Sequence, residues 1–223
     1  MAERLLNLYA SYAYSPAYWY LEDKDRKCLR VDIADSLREV ADATHIYSVF
    51  PARNDTDLMF WSAWGADALD VASVAMKKYA SVAATWRKFL QPTQTLWGFT
   101  MPSMYSRGKS EQDIDPLEGP RSPYFVVYPF SKNKDWYLMS MDSRQGMMNE
   151  HIKLGKQFFD IKQLLIYSFG LQDQEFVVAY ETEDLAKFSD LVKQLRSTEA
   201  RKYTLLDTPV ITGMYLTPQE FVG

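Results

Sequence analysis

The chain contains two histidines, His45 and His151, and one cysteine, Cys28. A zinc site draws on three or four protein ligands, so neither histidine has enough companions for one. Haem asks for less, because the porphyrin brings four nitrogens and the protein adds as little as one axial ligand. His151 has the better surroundings for that task. Steps of three and four residues place Arg144, Met147, Met148, His151 and Gly155 on one face of a helix predicted over Asp142–Phe158. Methionine side chains are unbranched and polarisable, so Met147 and Met148 suit packing on a flat ring. A glycine one turn later lets something large approach the backbone. The plainer alternative is a helix histidine at a subunit contact or in a partly buried core. His45 precedes an apolar run and reads most simply as a strand-entry residue.

Other chemistries have less support. There is no Gly-rich phosphate loop, no G-x-G-x-x-G and no G-x-S-x-G elbow. Cys28 has no histidine at a recognisable catalytic spacing, and being alone it forms no internal disulfide, which fits a reducing cytoplasm. The net charge of −4 gives no electrostatic footprint for nucleic acid or an anionic membrane. Apolar runs fall far short of the roughly 18 residues of a spanning helix, and M-A-E-R-L-L-N-L-Y-A lacks the apolar stretch of a secretory signal. The expected location is therefore cytoplasmic. Aromatics make up 15% of the chain; large aromatic cores with a subunit interface, or a lined cofactor pocket, would account for them.

The elements that must position His151 come in two similar sets. Leu5–Tyr14 reads as a strand, Glu22–Asp42 as containing a helix, and Ile46–Phe50 and Leu58–Trp64 as strands about a turn. Ala66–Tyr79 reads as a helix and Thr95–Thr100 as a closing strand. The order then repeats. Tyr124–Phe130 is a strand, Asp142–Phe158 a helix, and Leu164–Phe169 with Glu175–Tyr180 a hairpin across G-L-Q-D. Asp184–Leu195 is a helix and Val210–Tyr215 the last strand. I-Y-S-V-F in the first half is echoed by L-I-Y-S-F about 120 residues later. The expectation is an α+β fold of two tandem ferredoxin-like units, residues 1–102 and 124–223, with antiparallel sheets face to face and helices outside. Residues 103–123, with three prolines and two glycines, read as a polar linker that is either a surface connection or a cover for a pocket.

Taken in order, Y-P-F-S-K, D-W-Y-L-M, R-x-x-M-M-x-E-H-x-x-x-G, Y-S-F-G-L-Q-D-Q-E-F and L-R-S-T-E-A-R-K-Y-T resemble the chlorite dismutase family of haem proteins, which includes the coproheme decarboxylases. The similarity is strongest over Tyr124–Tyr215. It implies haem b or coproheme in the C-terminal unit and a homo-oligomer, usually a pentamer. His151 matches the proximal iron ligand. Lys132 and Glu199 match groups on the proximal side, the carboxylate being one that accepts the imidazole N–H. Trp136 matches an aromatic near the haem, and Met148 and Gly155 lie on the same helix face as His151.

The distal side separates the branches. Chlorite-decomposing members carry an arginine where this chain has Gln163, and a cation there would stabilise an anionic oxychlorine group. Decarboxylases of one branch have a glutamine, together with a redox-active tyrosine in Y-P-x-x-K that Tyr128 matches. The resemblance therefore implies peroxide-dependent decarboxylation of coproheme propionates more than chlorite chemistry. A peroxidase-like activity and a non-catalytic haem-binding role are the alternatives. The spacing departs from the decarboxylase pattern between Y-P-F-S-K and W-Y-L-M, and by one residue between His151 and Gln163. The propionate-binding arginine has no clear match; Arg107 and Arg121 are candidates.

Overall fold

Period-two alternation in the strands separates an inner from an outer face, and that separation dictates the architecture. The computed structural model describes residues 4–106, 108 and 110–223. The first set of elements is β1 (Leu5–Tyr14), α1 (Pro16–Trp19), α2 (Asp23–Val40), β2 (Ala43–Ser48), β3 (Leu58–Gly65), α3 (Val71–Trp86) and β4 (Leu90–Thr100). The second is β5 (Tyr124–Lys132), α4 (Lys134–Leu138), α5 (Met141–Gly155), β6 (Lys162–Tyr167), β7 (Phe176–Thr182) and α6 (Leu185–Leu195). A 3-10 turn at Glu199–Tyr203, then β8 (Thr204–Leu206), β9 (Ile211–Leu216) and α7 (Pro218–Val222), complete the chain.

Each half supplies four main antiparallel strands, and the two sheets do more than face each other. β4 bonds to β6 through Phe99 and Thr100, opposite Tyr167 and Ile166. β2 bonds to β9 through Ile46–Ser48, opposite Leu216–Met214. With β5 paired to both β7 and β9, eight strands close into a barrel, and the short β8 adds to the end of β5. Closure gives each of the eight strands a neighbour on both sides along at least part of its length, shortening the open edges that invite aggregation. The α+β duplicated fold is as expected, with the sheets joined at both seams.

Inward residues fill the barrel: Tyr9, Tyr47, Trp61, Phe125, Leu164, Ile166, Val177 and their neighbours. The segment between the halves also contributes, since Ile114 is buried among them. Outward residues form a separate core under the helices of each half. The third helix sits later than its sequence pattern suggested. Residues 66–70 are a loop, and the buried stripe is Ala75, Tyr79, Ala83 and Trp86, at helical spacing through to the helix end. β4 begins five residues earlier than expected. Beyond Phe99 and Thr100 no strand pairs with its outer edge: Gln172 and Ser168 side chains bond it at Thr95 and Trp97, and Pro92 sits farther along.

Candidate functional site: the His151 helix and the outer face of the C-terminal sheet

The outward faces of β5, β6 and β7 make the floor. Register places Gln163 opposite Tyr180, Leu165 opposite Val178, and Tyr167 opposite Phe176. On the other side of β7, Val126, Tyr128 and Phe130 oppose the same Tyr180, Val178 and Phe176. Alternation therefore puts Tyr128 and Gln163 on one surface, with Tyr180 between their rows. Tyr128 and Tyr180 stack with ring centres 6.1 Å apart.

The helix above this floor is built to start at Ser140, whose side chain accepts from the Ser143 N–H, with Asp142 in its first turn and Lys153 in its last. Its packing is unusual. The counterpart helix of the first half, α2, buries Ile33, Ala34, Leu37 and Val40. No residue of α5 is buried. Phe158, Ile161 and the half-buried Leu154 at the end of the helix pack on the outward residues of the floor together with Phe188, Leu191 and Val192 of α6. A Cβ built on Gly155 meets nothing within 4 Å. The repeat thus contains its own control: the same helix is packed shut in one half and stands open in the other.

His151 lies on this helix with its Nδ1 buried and without a hydrogen-bond partner. Burial, with the Lys132 ammonium adding to it against Glu150, lowers its pKa from the usual 6.5 to about 4, so the imidazole is neutral at physiological pH. A neutral imidazole with an unused nitrogen is the form that binds a metal. Lys132, at the end of β5, donates to the Ala200 carbonyl at 3.0 Å and the Thr204 hydroxyl at 3.2 Å. Its ammonium also stands 4.7 Å from the centre of the buried Trp136 ring. Burial and the nearby Arg201 charge lower the Lys132 pKa to about 8, opposed by Glu175. His151, Lys132 and Trp136 are thus gathered on one side, and Met148 is half-buried on the same helix.

Glu199 does not take the place expected of it. Its carboxylate pairs with Lys202 at 2.6 Å on the surface, and its backbone N–H is held by Glu150. The pull of an adjacent lysine three residues away in the 3-10 turn accounts for this. Arg121 is also elsewhere: its side chain is inside the barrel, 3.4 Å from the Glu181 carboxylate and over the Trp61 ring. It is therefore no partner for a group at the His151 helix. Arg107 lies outside the described residues. Gln163 is exposed at the rim, its backbone paired with the segment between the halves. His45 is a core residue, its Nε2 bonded to the Pro116 carbonyl.

The sequence reading missed Arg196 and Arg201. Both pair with Asp207, at 3.3 and 2.6 Å. Burial raises the Tyr128 phenol pKa; a hydrogen bond with Tyr180 offsets part of the rise, while the Asp207 carboxylate adds to it and Arg196 and Arg201 oppose it. The signal was present in L-R-S-T-E-A-R, where only the glutamate was singled out. Among the described residues no three His, Cys, Asp or Glu side chains gather as a metal site. Iron at His151 would accordingly take most of its ligands from a bound ring.

The chlorite dismutase family model matches residues 26–216. The chain belongs to the chlorite dismutase family. Coproheme decarboxylase of Mycolicibacterium smegmatis is 27% identical over 178 residues, which are 80% of this chain and 75% of that protein. A solved structure assigned as a chlorite dismutase, TA0507, is 30% identical with a TM-score of 0.80, covering 98% of each chain. A chlorite dismutase variant of Candidatus Nitrospira defluvii in complex with cyanide superposes with a TM-score of 0.85 at 20% identity, covering 98% of this chain and 93% of that one. The family includes haem-dependent enzymes, and the open face of α5 with its unpartnered histidine nitrogen fits such a group. No helix among the described residues is long and apolar enough to cross a membrane.

Proposed function

We propose that this protein is a haem-dependent oxidative enzyme of the coproheme decarboxylase type, using hydrogen peroxide. The observation that carries the reading is that Tyr128 shares the outward face of β5 with Lys132, whose charge acts on His151, and that the paired charges of Arg196, Arg201 and Asp207 act on the Tyr128 phenol. His151 would hold iron, with Lys132, Trp136 and Met148 around it, and Gly155 leaves room for the ring edge. The bound iron tetrapyrrole supplies the capacity to accept oxidising equivalents from peroxide.

The residues of this chain do the rest. Arg196 and Arg201, now sharing Asp207, offer guanidinium groups to a propionate carboxylate. Tyr128 is half-buried and neutral, a phenol able to give up a hydrogen atom and recover one from the substrate side chain. Gln163 offers an uncharged amide at the opposite rim to orient peroxide. An uncharged group there gives an oxychlorine anion no cationic partner, so chlorite is not the substrate we propose. Overall, one propionate, one peroxide and one proton give a vinyl group, carbon dioxide and two waters, which balances.

The test is incubation with coproheme and peroxide, followed by mass analysis. Each propionate that becomes a vinyl group should lose one carbon dioxide and two hydrogens, and Tyr128→Phe should bind coproheme without that loss. Recovery of intact coproheme from the wild-type protein overturns the assignment.

A further inference from the structure

Three backbone carbonyls converge on one side chain from outside the C-terminal half. The Gln112 Nε2 donates to Gly155 O at 3.4 Å, Phe158 O at 3.0 Å and Ile161 O at 3.1 Å. These carbonyls span the turn that leads from the end of α5 into β6. The backbone of the same residue bonds to the strand: Gln163 N–H donates to Gln112 O at 2.7 Å, and Ile114 N–H donates to Gln163 O at 3.0 Å. One residue therefore holds the end of the His151 helix with its side chain and the Gln163 strand with its main chain.

The far side of Gln112 is fixed as well. Ile114 is buried in the barrel, the Pro116 carbonyl accepts from His45, and Arg121 is paired with Glu181 inside. A segment anchored at that many points is a rigid tether, in contrast to a loose connection. Without it, the carbonyls at 155, 158 and 161 lose their shared donor, and the end of β6 beyond the β4 seam loses its neighbour.

We infer that Gln112 is a positioning residue for the His151 site: it sets the separation between the helix carrying His151 and the strand carrying Gln163. This rests on the reading of that site as a haem site, and two measurements keep the two ideas apart. In the ligand-free protein, Gln112→Ala should speed amide hydrogen exchange over residues 156–163 by about tenfold while leaving β1 unchanged. Gln112→Lys should restore protection, because an ammonium also presents only donors to the three carbonyls. In the haem-loaded protein, Gln112→Ala should speed cyanide release as much as Gln163→Ala does, with no added effect in the double variant. Unchanged exchange over 156–163, failure of the lysine variant to restore it, or unchanged cyanide release would each overturn the inference. A protein that takes up no haem refutes the reading of the site, and the exchange measurement still decides whether Gln112 is the tether.

Discussion

The Lys132 ammonium stands 4.7 Å from the centre of the Trp136 ring, and the same ammonium donates to the Ala200 carbonyl and the Thr204 hydroxyl. One buried cation therefore joins β5, α4, the 3-10 turn and β8. Such a contact gains from the low local dielectric and from the ring's negative face.

Removing that cation should loosen the wall behind His151. Lys132→Met keeps most of the stem but leaves Ala200 O without its donor, at a cost of about 1–3 kcal/mol. Urea unfolding of the ligand-free protein measures this. A variant as stable as wild type would show that the wall stands without it.

Gly155 and Gly98 should respond in opposite directions. A Cβ at Gly155 meets nothing, so Gly155→Ala should stabilise the ligand-free protein by about 0.5–1 kcal/mol through helix propensity. The same change should weaken haem uptake, measured by Soret titration. At Gly98 a Cβ would lie 2.3 Å from the Tyr167 carbonyl across the β4–β6 seam, so Gly98→Ala should cost about 3 kcal/mol or more. Thermal unfolding of the pair checks both signs.

The His151 position itself should matter for binding and not for folding. His151→Ala removes a side chain whose Nδ1 satisfies nothing in the chain. Its melting temperature should stay within a few degrees of wild type, while the Soret band on hemin addition disappears. Retention of a wild-type Soret band would assign the iron to another residue.

His45 predicts a pH dependence. Burial, against the hydrogen bond to the Pro116 carbonyl and with Arg121 adding repulsion, lowers its pKa from 6.5 to about 4. Between those values the unfolded chain binds more protons, so this group makes stability rise with pH from about 4 to 6.5 and level off above. The upper bound is about 3 kcal/mol. His45→Gln keeps a donor for Pro116 without a titrating group, so its stability should vary less across that window. Parallel urea curves at several pH values, with identical slopes for both proteins, would refute it.

Glu199 provides a test of the proximal side. The exposed Lys202 pair is worth little, so Lys202→Ala should leave stability indistinguishable from wild type. If the freed carboxylate serves the imidazole, Lys202→Ala should raise the iron–histidine stretching frequency of the haem-loaded protein and Glu199→Gln should lower it. Equal frequencies in all three proteins would remove Glu199 from the site.

The order of strands and helices along the chain was legible because alternation and helical spacing are local properties, while boundaries such as those of β2, α3 and β4 moved by three to seven residues. β1 was bounded correctly from its apolar run, and α6 is displaced by only its cap, Asp184. Barrel closure was not legible. Two-residue and three-residue pairings at the seams depend on where distant strands end, and no local pattern records that. At the site, His151, Lys132 and Trp136 were found together because motif order carried them. Arg121 was misplaced because a charged residue in a polar linker gives no sign of being drawn into an aromatic barrel. The buried partner Glu181 sits in a strand that otherwise reads as apolar, and only the fold brings the two together.

The two seams have a consequence for how such a chain arises. Cut the connection between the halves, and each fragment exposes a strand on either side that matches the other's. Two copies of one half meet the same geometric condition, so an ancestral half-length chain would complete this barrel by pairing with itself, as a symmetric dimer. In the joined chain the two halves need not be alike, and α2 buries four residues where α5 buries none.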